Sequence, residues 1–218
     1  MIIDKTTKTL EEQVYHSLEE AIIAGEYKRG DALTEMSLSE KLGVSRTPVR
    51  SALHRLSKEG LVEIIPNRGA MVIGVSNDDL VDTYKIRMRL EGLACAMAAE
   101  RMTEEDKIAL EETVELSEFY LKKNDVERLK ELDTEFHIII YRASGNRMLC
   151  KILSELHRNI SSYRKLALTV PGRLERSIEE HRSILAAIKS ADPKMADKLT
   201  FEHIEKAMNN MIIATKGR

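Results

Sequence analysis

Four side chains that commonly bind metals occupy helix positions where packing calls for apolar residues. Asp133 interrupts the apolar stripe of one predicted helix, and His137 lies one turn further along on the same side. His181 takes the central position in the stripe of a second helix, and His203 does the same in a third. Because an unpaired buried carboxylate is costly, a bound cation is expected here, and the ligand set suits Zn²⁺, Ni²⁺, Co²⁺ or Mn²⁺.

Other interpretations of these four residues remain open. A single inward histidine is more often a hydrogen-bonded core residue, and Asp133 could instead pair with an arginine. A metallohydrolase could use the same set, because zinc with an open coordination position activates water. No inward glutamate or second base is evident near the four residues, which argues against that enzyme. His157 flanks another apolar stripe and is interpreted as structural.

The basic stretch from Lys41 to Lys58 is predicted to contain a helix that reads DNA, with Ser45 as its N-cap. It carries five cations and no acid. Arg46 and Arg50 share a polar face, with Thr47 beside them, and an apolar face lies opposite. Arginine forks bind guanine edges and hydroxyls fit phosphates. The alternative is an ordinary amphipathic helix with a solvated basic face.

The residues around this helix favour the DNA-reading interpretation. A short helix is predicted over 34–41, and Gly43-Val44 supplies the tight turn of a helix-turn-helix. Two β-branched runs then form a hairpin wing, with Arg68 and Gly69 in its turn and Arg68 placed to enter a minor groove. The predicted wing strands are 61–65 and 70–73.

The fold class predicted is mainly α, in two domains. Residues 1–75 form a winged helix-turn-helix of three helices plus a β-hairpin wing, whose first helix, 9–25, packs on the recognition helix. Residues 76–218 form an all-α bundle of about six helices, starting at Ser76. The fourth of these helices is predicted to run from Met148 to about Thr169.

Composition sets limits on partners and location. The net charge of the 218 residues is −2, and residues 1–75 carry 10 Lys and Arg against 11 Asp and Glu, so DNA affinity must come from the local basic cluster. Cys95 and Cys150 are expected to be reduced thiols. No apolar run reaches the roughly 18–20 residues of a membrane span, and no signal-peptide core is present, so a cytoplasmic location is expected.

Residues 9–73 resemble the winged-helix domain of the GntR family of bacterial regulators. The run from Gly43 to Arg50 is highly specific, whereas Ser51 departs from the family, which usually has an acid there. The resemblance implies a winged helix that binds an operator. The other matching pieces are 23–25, 30–35, Ala52-Leu53, Leu56 and 59–62.

Residues 84–208 resemble the FCD ligand-binding domain of the FadR-type branch of that family. The resemblance implies that Asp133, His137, His181 and His203 bind a metal beside a cavity for a small organic acid. Four protein ligands leave positions open on an octahedral ion, so a carboxylate could bind there with an arginine. The candidates for this arginine are Arg87 and Arg164, and ion pairing within the fold is the alternative for both. The matching motifs are Arg87 with 90–91, 132–133, 136–137, 144–146, 180–181, 187–188 and His203.

The function expected is therefore a metabolite-responsive DNA-binding regulator, a repressor rather than an enzyme. A homodimer would place two recognition helices about one DNA turn apart on a short inverted repeat. Its partners are the operator and a small carboxylate, whose binding at the metal would change operator affinity. Two rivals remain: a metallohydrolase, and a regulator in which the metal is the signal or only structural.

Overall fold

The computed structural model of the chain describes residues 9–23, 25–66, 68–73, 77–168 and 170–216. These residues form ten helices and one three-stranded sheet, so the mainly α fold is confirmed. The chain divides into two compact units with a boundary between residues 76 and 77, and the short segment 159–162 is grouped with the first unit. The predicted boundary residue, Ser76, lies outside the described residues.

The first unit is a winged helix-turn-helix. Val14, Leu18 and Ile22 form the buried face of the first helix, which packs against the third as predicted. Thr34 caps the second helix by accepting from the amide of Ser37. The elements of this unit are α1 (Leu10–Ile23), β1 (Ala32–Leu33), α2 (Glu35–Leu42), α3 (Arg46–Lys58), β2 (Val62–Ile65) and β3 (Gly69–Val72).

The wing is a sheet of three antiparallel strands in the order β1-β3-β2, rather than the two-stranded hairpin expected. The added strand β1 pairs Ala32 with Met71 and Leu33 with Ala70. The sequence does not predict it because two residues are too few to show the alternation of a strand. β3 is therefore the central strand of the wing.

Gly69 brings the wing close to β1. Its φ is +96°, and a Cβ built there would lie 2.5 Å from the carbonyl oxygen of Leu33. Gly30, also in the first unit, has a similar φ of +93°, but a Cβ there meets no described atom within 4 Å. A substitution at Gly30 therefore tests the effect of a positive φ alone, whereas one at Gly69 tests a positive φ together with a steric clash.

We expect Gly69→Ala to destabilise the first unit by roughly 3 kcal/mol, because a strained φ and an overlap with backbone add. Gly30→Ala should cost only the conformational part, about 1–2 kcal/mol. Chemical denaturation followed by circular dichroism measures both. Equal losses in the two variants would mean that the contact with Leu33 does not constrain the wing.

The described residues from 77 to 216 are all helical, with seven helices rather than about six. The predicted helix from Met148 to Thr169 ends at Asn159, and a separate short helix follows Ile160. Asn and Ser side chains compete for backbone hydrogen bonds, so the run 159–162 supports helix weakly. The helices are α4 (Asn77–Arg101), α5 (Glu104–Lys122), α6 (Val126–Ala143), α7 (Arg147–Asn159), α8 (Ser161–Ala167), α9 (Arg173–Lys189) and α10 (Pro193–Lys216).

One apolar core joins α4, α5, α6, α9 and the start of α10, with Phe136, Ile140 and Ile188 among its members. α10 packs along α4 and α9, which brings the polar positions of α6, α9 and α10 to the same part of the unit. Cys95 and Cys150 are free thiols, as expected. None of the helices in the described ranges is long and apolar enough to cross a membrane.

Candidate functional site

Three buried histidines from three helices meet in the second unit. His137 lies on α6, His181 on α9 and His203 on α10, and each is 2–3% exposed. One ligand nitrogen of each lies within 4.8 Å of the others, and the described residues contain one such group. The Nε2 atoms of His137 and His203 are 3.4 Å apart. The imidazole part of the predicted quartet is therefore brought together.

Two glutamates, the buried Glu91 and the half-buried Glu180, orient two of these rings. Oε2 of Glu91 on α4 lies 3.0 Å from Nδ1 of His137, and Oε2 of Glu180 lies 2.7 Å from Nδ1 of His203. A carboxylate at Nδ1 favours the proton there and leaves the Nε2 lone pair for a ligand. The expectation that no inward glutamate lies near the site is wrong, because both carboxylates contact its histidines.

His181 supplies the third imidazole of the group, and its Nε2 atom lies near Asp133. That atom is buried and has no hydrogen-bond partner within the described part of the chain, and Oδ1 of Asp133 lies 3.8 Å away. The ring stacks on Phe136 with centroids 3.9 Å apart, which fixes its plane. Burial lowers the pKa of His181 well below its ordinary value and that of His203 to about 4. Both rings are therefore neutral at pH 7, the form that coordinates metals.

Asp133 stands beside the three histidines and is already paired with an arginine. Its Oδ2 accepts from Nη2 of Arg164 at 2.6 Å, and its Oδ1 accepts from Ser177 at 3.4 Å. Burial raises the pKa of Asp133, but Arg164 and the nearby histidines outweigh burial and hold that pKa well below its usual range. The arginine pairing left open by the sequence is present, while Oδ1 faces His181.

His157 is a buried histidine close to the site but outside it. Its Nδ1 lies 3.3 Å from the hydroxyl of Tyr141, and its Nε2 is in contact with Nη1 of Arg164. Both ring nitrogens therefore have partners. This arrangement agrees with the structural role that the sequence predicts for it.

A cavity of about 20 Å³ adjoins the histidines and is lined by three buried arginines. Arg87 pairs with Glu91 one turn further along α4, at 2.6 Å, but its Nη1 has no hydrogen-bond partner among the described residues. The buried hydroxyl of Tyr84 also lacks one within the described ranges. The lining residues are Tyr84, Arg87, Asp133, His137, Arg164, Ala167, Leu168, Arg173, His203, Ile204 and Ala207.

Arg173, the third arginine of this cavity, is not predicted from the sequence. It donates to Glu180 at 2.8 Å, and its Nη2 lies 3.5 Å from Nδ1 of His203. It is 2% exposed although it stands at the start of α9, directly after a Pro-Gly break that suggests a surface turn. The sequence signal that could locate Arg173 is its partner Glu180, which directly precedes His181.

The polar face of α3 is exposed in the first unit, whereas Val49 and Leu53 on its other face are buried. Arg46 and Arg50 are both exposed. Ser45 is the N-cap residue, but its side chain makes no capping bond within the described residues. The remaining predicted DNA contacts are Thr47 and Arg68, both exposed, and Gly69, which is half-buried.

Comparisons with known proteins agree with this two-part construction. The family model "Bacterial regulatory proteins, gntR family" matches residues 10–72, and the model "FCD domain" matches residues 82–206. The uncharacterized HTH-type transcriptional regulator YdhC of Bacillus subtilis is 31% identical over 88% of this chain and 86% of its own. A relative in Paenarthrobacter nicotinovorans is 30% identical over 91% of this chain and 87% of its own, and is named "Probable D-xylose utilization operon transcriptional repressor".

The solved structure of E. coli McbR/YncC superposes with a TM-score of 0.67 at 29% identity, over 97% of this chain and 99% of that one. These matched proteins are transcriptional regulators, so the expectation that the chain is not an enzyme is confirmed. The resemblance predicted from the sequence is also confirmed. The chain belongs to the gntR family of bacterial transcriptional regulators, with a DNA-binding winged helix followed by an FCD domain.

Proposed function

We propose that this DNA-binding regulator is a repressor controlled by a divalent metal and a small organic acid that bind together in its FCD domain. His137, His181 and His203, with Oδ1 of Asp133, would hold the metal. The observation that carries the proposal is the convergence of three buried imidazoles, each with a ligand nitrogen within 4.8 Å of those of the other two, and the Nε2 atoms of His137 and His203 lie 3.4 Å apart. Lone pairs that meet in a buried space repel unless a cation lies between them.

The donor set fits Zn²⁺, Ni²⁺, Co²⁺ or Mn²⁺. His181 offers a buried Nε2 atom with no hydrogen-bond partner in the described ranges, while Glu91 and Glu180 hold the Nδ1 atoms of the other two histidines. Carboxylates in that position set the tautomer and raise the basicity of the ligand nitrogen. When bound, the metal supplies positive charge and open coordination positions for an acid.

Charge balance favours an acid with two negative charges. Each buried arginine of the cavity already has one carboxylate: Arg87 has Glu91, Arg164 has Asp133, and Arg173 has Glu180. These three pairs cancel, and the histidines are expected to be neutral when they coordinate. A divalent metal therefore leaves two uncompensated positive charges in a buried site, where unpaired charge is costly. Nη1 of Arg87 and the hydroxyl of Tyr84 are buried donors available to the acid.

The acid must enlarge the cavity to enter. About 20 Å³ holds roughly one water molecule, which is less than the volume of any dicarboxylate. Arg164 and Ala167 reach this cavity from the short helix α8, and Arg164 links α8 to Asp133 and His157. We infer that an acid attracts Arg164 and moves α8, which shifts the population of conformations and changes operator affinity.

The remaining parts of the proposal concern the assembly on DNA. A homodimer would bind a short inverted repeat with its two α3 helices about one helical turn apart. Repression is supported by the relative in Paenarthrobacter nicotinovorans, which is named a probable transcriptional repressor.

The test measures operator affinity of zinc-loaded and zinc-free protein in the presence of succinate, malate, acetate or lactate. A dicarboxylate should weaken operator binding about 10-fold or more when zinc is present and have no effect without it. Acetate and lactate should act more weakly at the same concentration. A response to zinc alone would identify the metal as the signal. Identical responses to all four acids would contradict the inference that the acid carries two negative charges.

A further inference from the structure

A bidentate ion pair holds Arg50 on the exposed face of α3. Nε of Arg50 donates to Oε1 of Glu35 at 2.7 Å, and Nη2 donates to Oε2 at 2.8 Å. Glu35 opens α2, so the pair joins the two helices of the helix-turn-helix. The Arg50 side chain remains 63% exposed, against 26% for Glu35. The guanidinium is thus fixed in direction while its far end stays accessible.

The geometry of the pair determines which donors remain for DNA. A guanidinium has five N–H groups in a planar fork, and Glu35 uses the side formed by Nε and Nη2. The outer end, formed by Nη1 and the second N–H of Nη2, has no hydrogen-bond partner among the residues that the structure describes. Two parallel donors at that end match O6 and N7 of guanine in the major groove.

The pair also changes the electrostatics of Arg50. Its charge is largely balanced by Glu35, so its attraction for phosphate is weakened, and an adjacent carboxylate is itself repelled by phosphates. Arg46, one turn earlier on α3, makes no hydrogen bond or ion pair with any residue that the structure describes. The charge of Arg46 acts on Glu35 only at longer range, as one of the smaller causes that lower the pKa of Glu35, so Arg46 keeps more of its charge for the backbone or a base than Arg50 does.

We propose that Glu35 is a positioning residue that makes Arg50 a reader of guanine instead of a phosphate contact. Glu35 does not touch DNA in this role. It contributes specificity by fixing the fork, and it lowers non-specific affinity because it adds negative charge near the phosphates. Glu35 therefore raises specificity but lowers non-specific affinity. A purely structural residue would be expected to support both kinds of binding.

The test begins with an operator obtained by selecting random duplexes with the full-length protein. Affinities for that operator and for random duplex are then measured by fluorescence anisotropy for wild type and Glu35→Gln. The ratio of operator to random affinity should fall about 5- to 10-fold in the variant, while random-duplex affinity stays equal or rises. Repeating the selection with Glu35→Gln should show a weaker guanine preference at one position in each half-site.

Glu40→Gln is the matched control, because Glu40 is an exposed acid on the same helix and the charge change is identical. Its affinity ratio should stay within twofold of wild type. Glu35→Asp keeps the charge but is too short to reach both Arg50 nitrogens, so its ratio should fall as in Glu35→Gln. A wild-type ratio in both Glu35 variants, or the same loss in Glu40→Gln, would overturn the proposal.

A double-mutant cycle completes the test. In an Arg50→Ala background the Glu35→Gln change should leave the affinity ratio unaltered, because Glu35 then has no fork to position. A further loss in that background would overturn the proposal by showing that Glu35 acts through another group. Circular dichroism of each variant at the assay temperature ensures that only folded protein is compared.

Discussion

Replacing His181 by alanine is expected to lower zinc affinity about 100-fold or more. The change removes the one imidazole whose buried Nε2 atom has no hydrogen-bond partner in the described chain, and loss of an orienting partner alone typically costs 10–100-fold. Zinc should raise the melting temperature of wild type, since a ligand that binds only the folded state stabilises it, and it should not raise that of His181→Ala. Elemental analysis after dialysis against dilute zinc gives the stoichiometry directly.

His157→Ala is the control for this experiment. His157, on α7, is as buried as His181, so its removal creates a similar cavity and a similar loss of stability. Because Tyr141 and Arg164 occupy its two ring nitrogens, it should keep wild-type zinc content. Equal zinc content in the two variants would remove His181 from the proposed site.

The quartet can be found from the sequence because each member breaks an apolar repeat of its helix. No such break in an apolar repeat marks the three charged residues around the quartet. Glu91 and Arg173 are nevertheless buried, and Glu180 is half-buried. Arg87 and Glu91 are spaced four residues apart, a pattern that usually marks a solvated ion pair on a helix surface. In the fold this pair is 1% exposed, because α6 and α10 cover that face of α4. Burial of charge depends on neighbouring helices, which periodicity does not show.

In the recognition helix, too, the sequence predicts which face is exposed but not which residue each side chain contacts. Its apolar and basic faces follow from spacing alone, and the exposure of Arg46 and Arg50 agrees with them. The contact between Glu35 and Arg50 joins residues 15 positions apart on different helices, so it depends on the crossing of α2 over α3. The sequence predicts the two helices, whereas the partner of each side chain follows from tertiary packing.

Arg46→Ala is expected to weaken operator binding about 10- to 100-fold while the FCD domain stays folded and binds metal normally. A well-placed arginine contact to a base contributes about 1–3 kcal/mol, and loss of a phosphate contact lowers the salt dependence by about one ion. Arg46 is exposed on α3 and makes no ion pair with the described residues, so its removal should leave the fold intact. Anisotropy titrations at two salt concentrations measure both quantities.

Arg55→Ala provides the same charge change on the same helix at a position that packs against α1. The Arg55 guanidinium lies 3.7 Å from the ring centroid of Tyr15 on α1, and its Nε is 3.6 Å from Glu59. Its loss should lower the melting temperature of the first unit through lost packing and leave operator affinity near wild type. If Arg55→Ala weakened binding as much as Arg46→Ala, bulk charge would account for affinity. Full operator affinity in Arg46→Ala would exclude this face of α3 from the DNA interface.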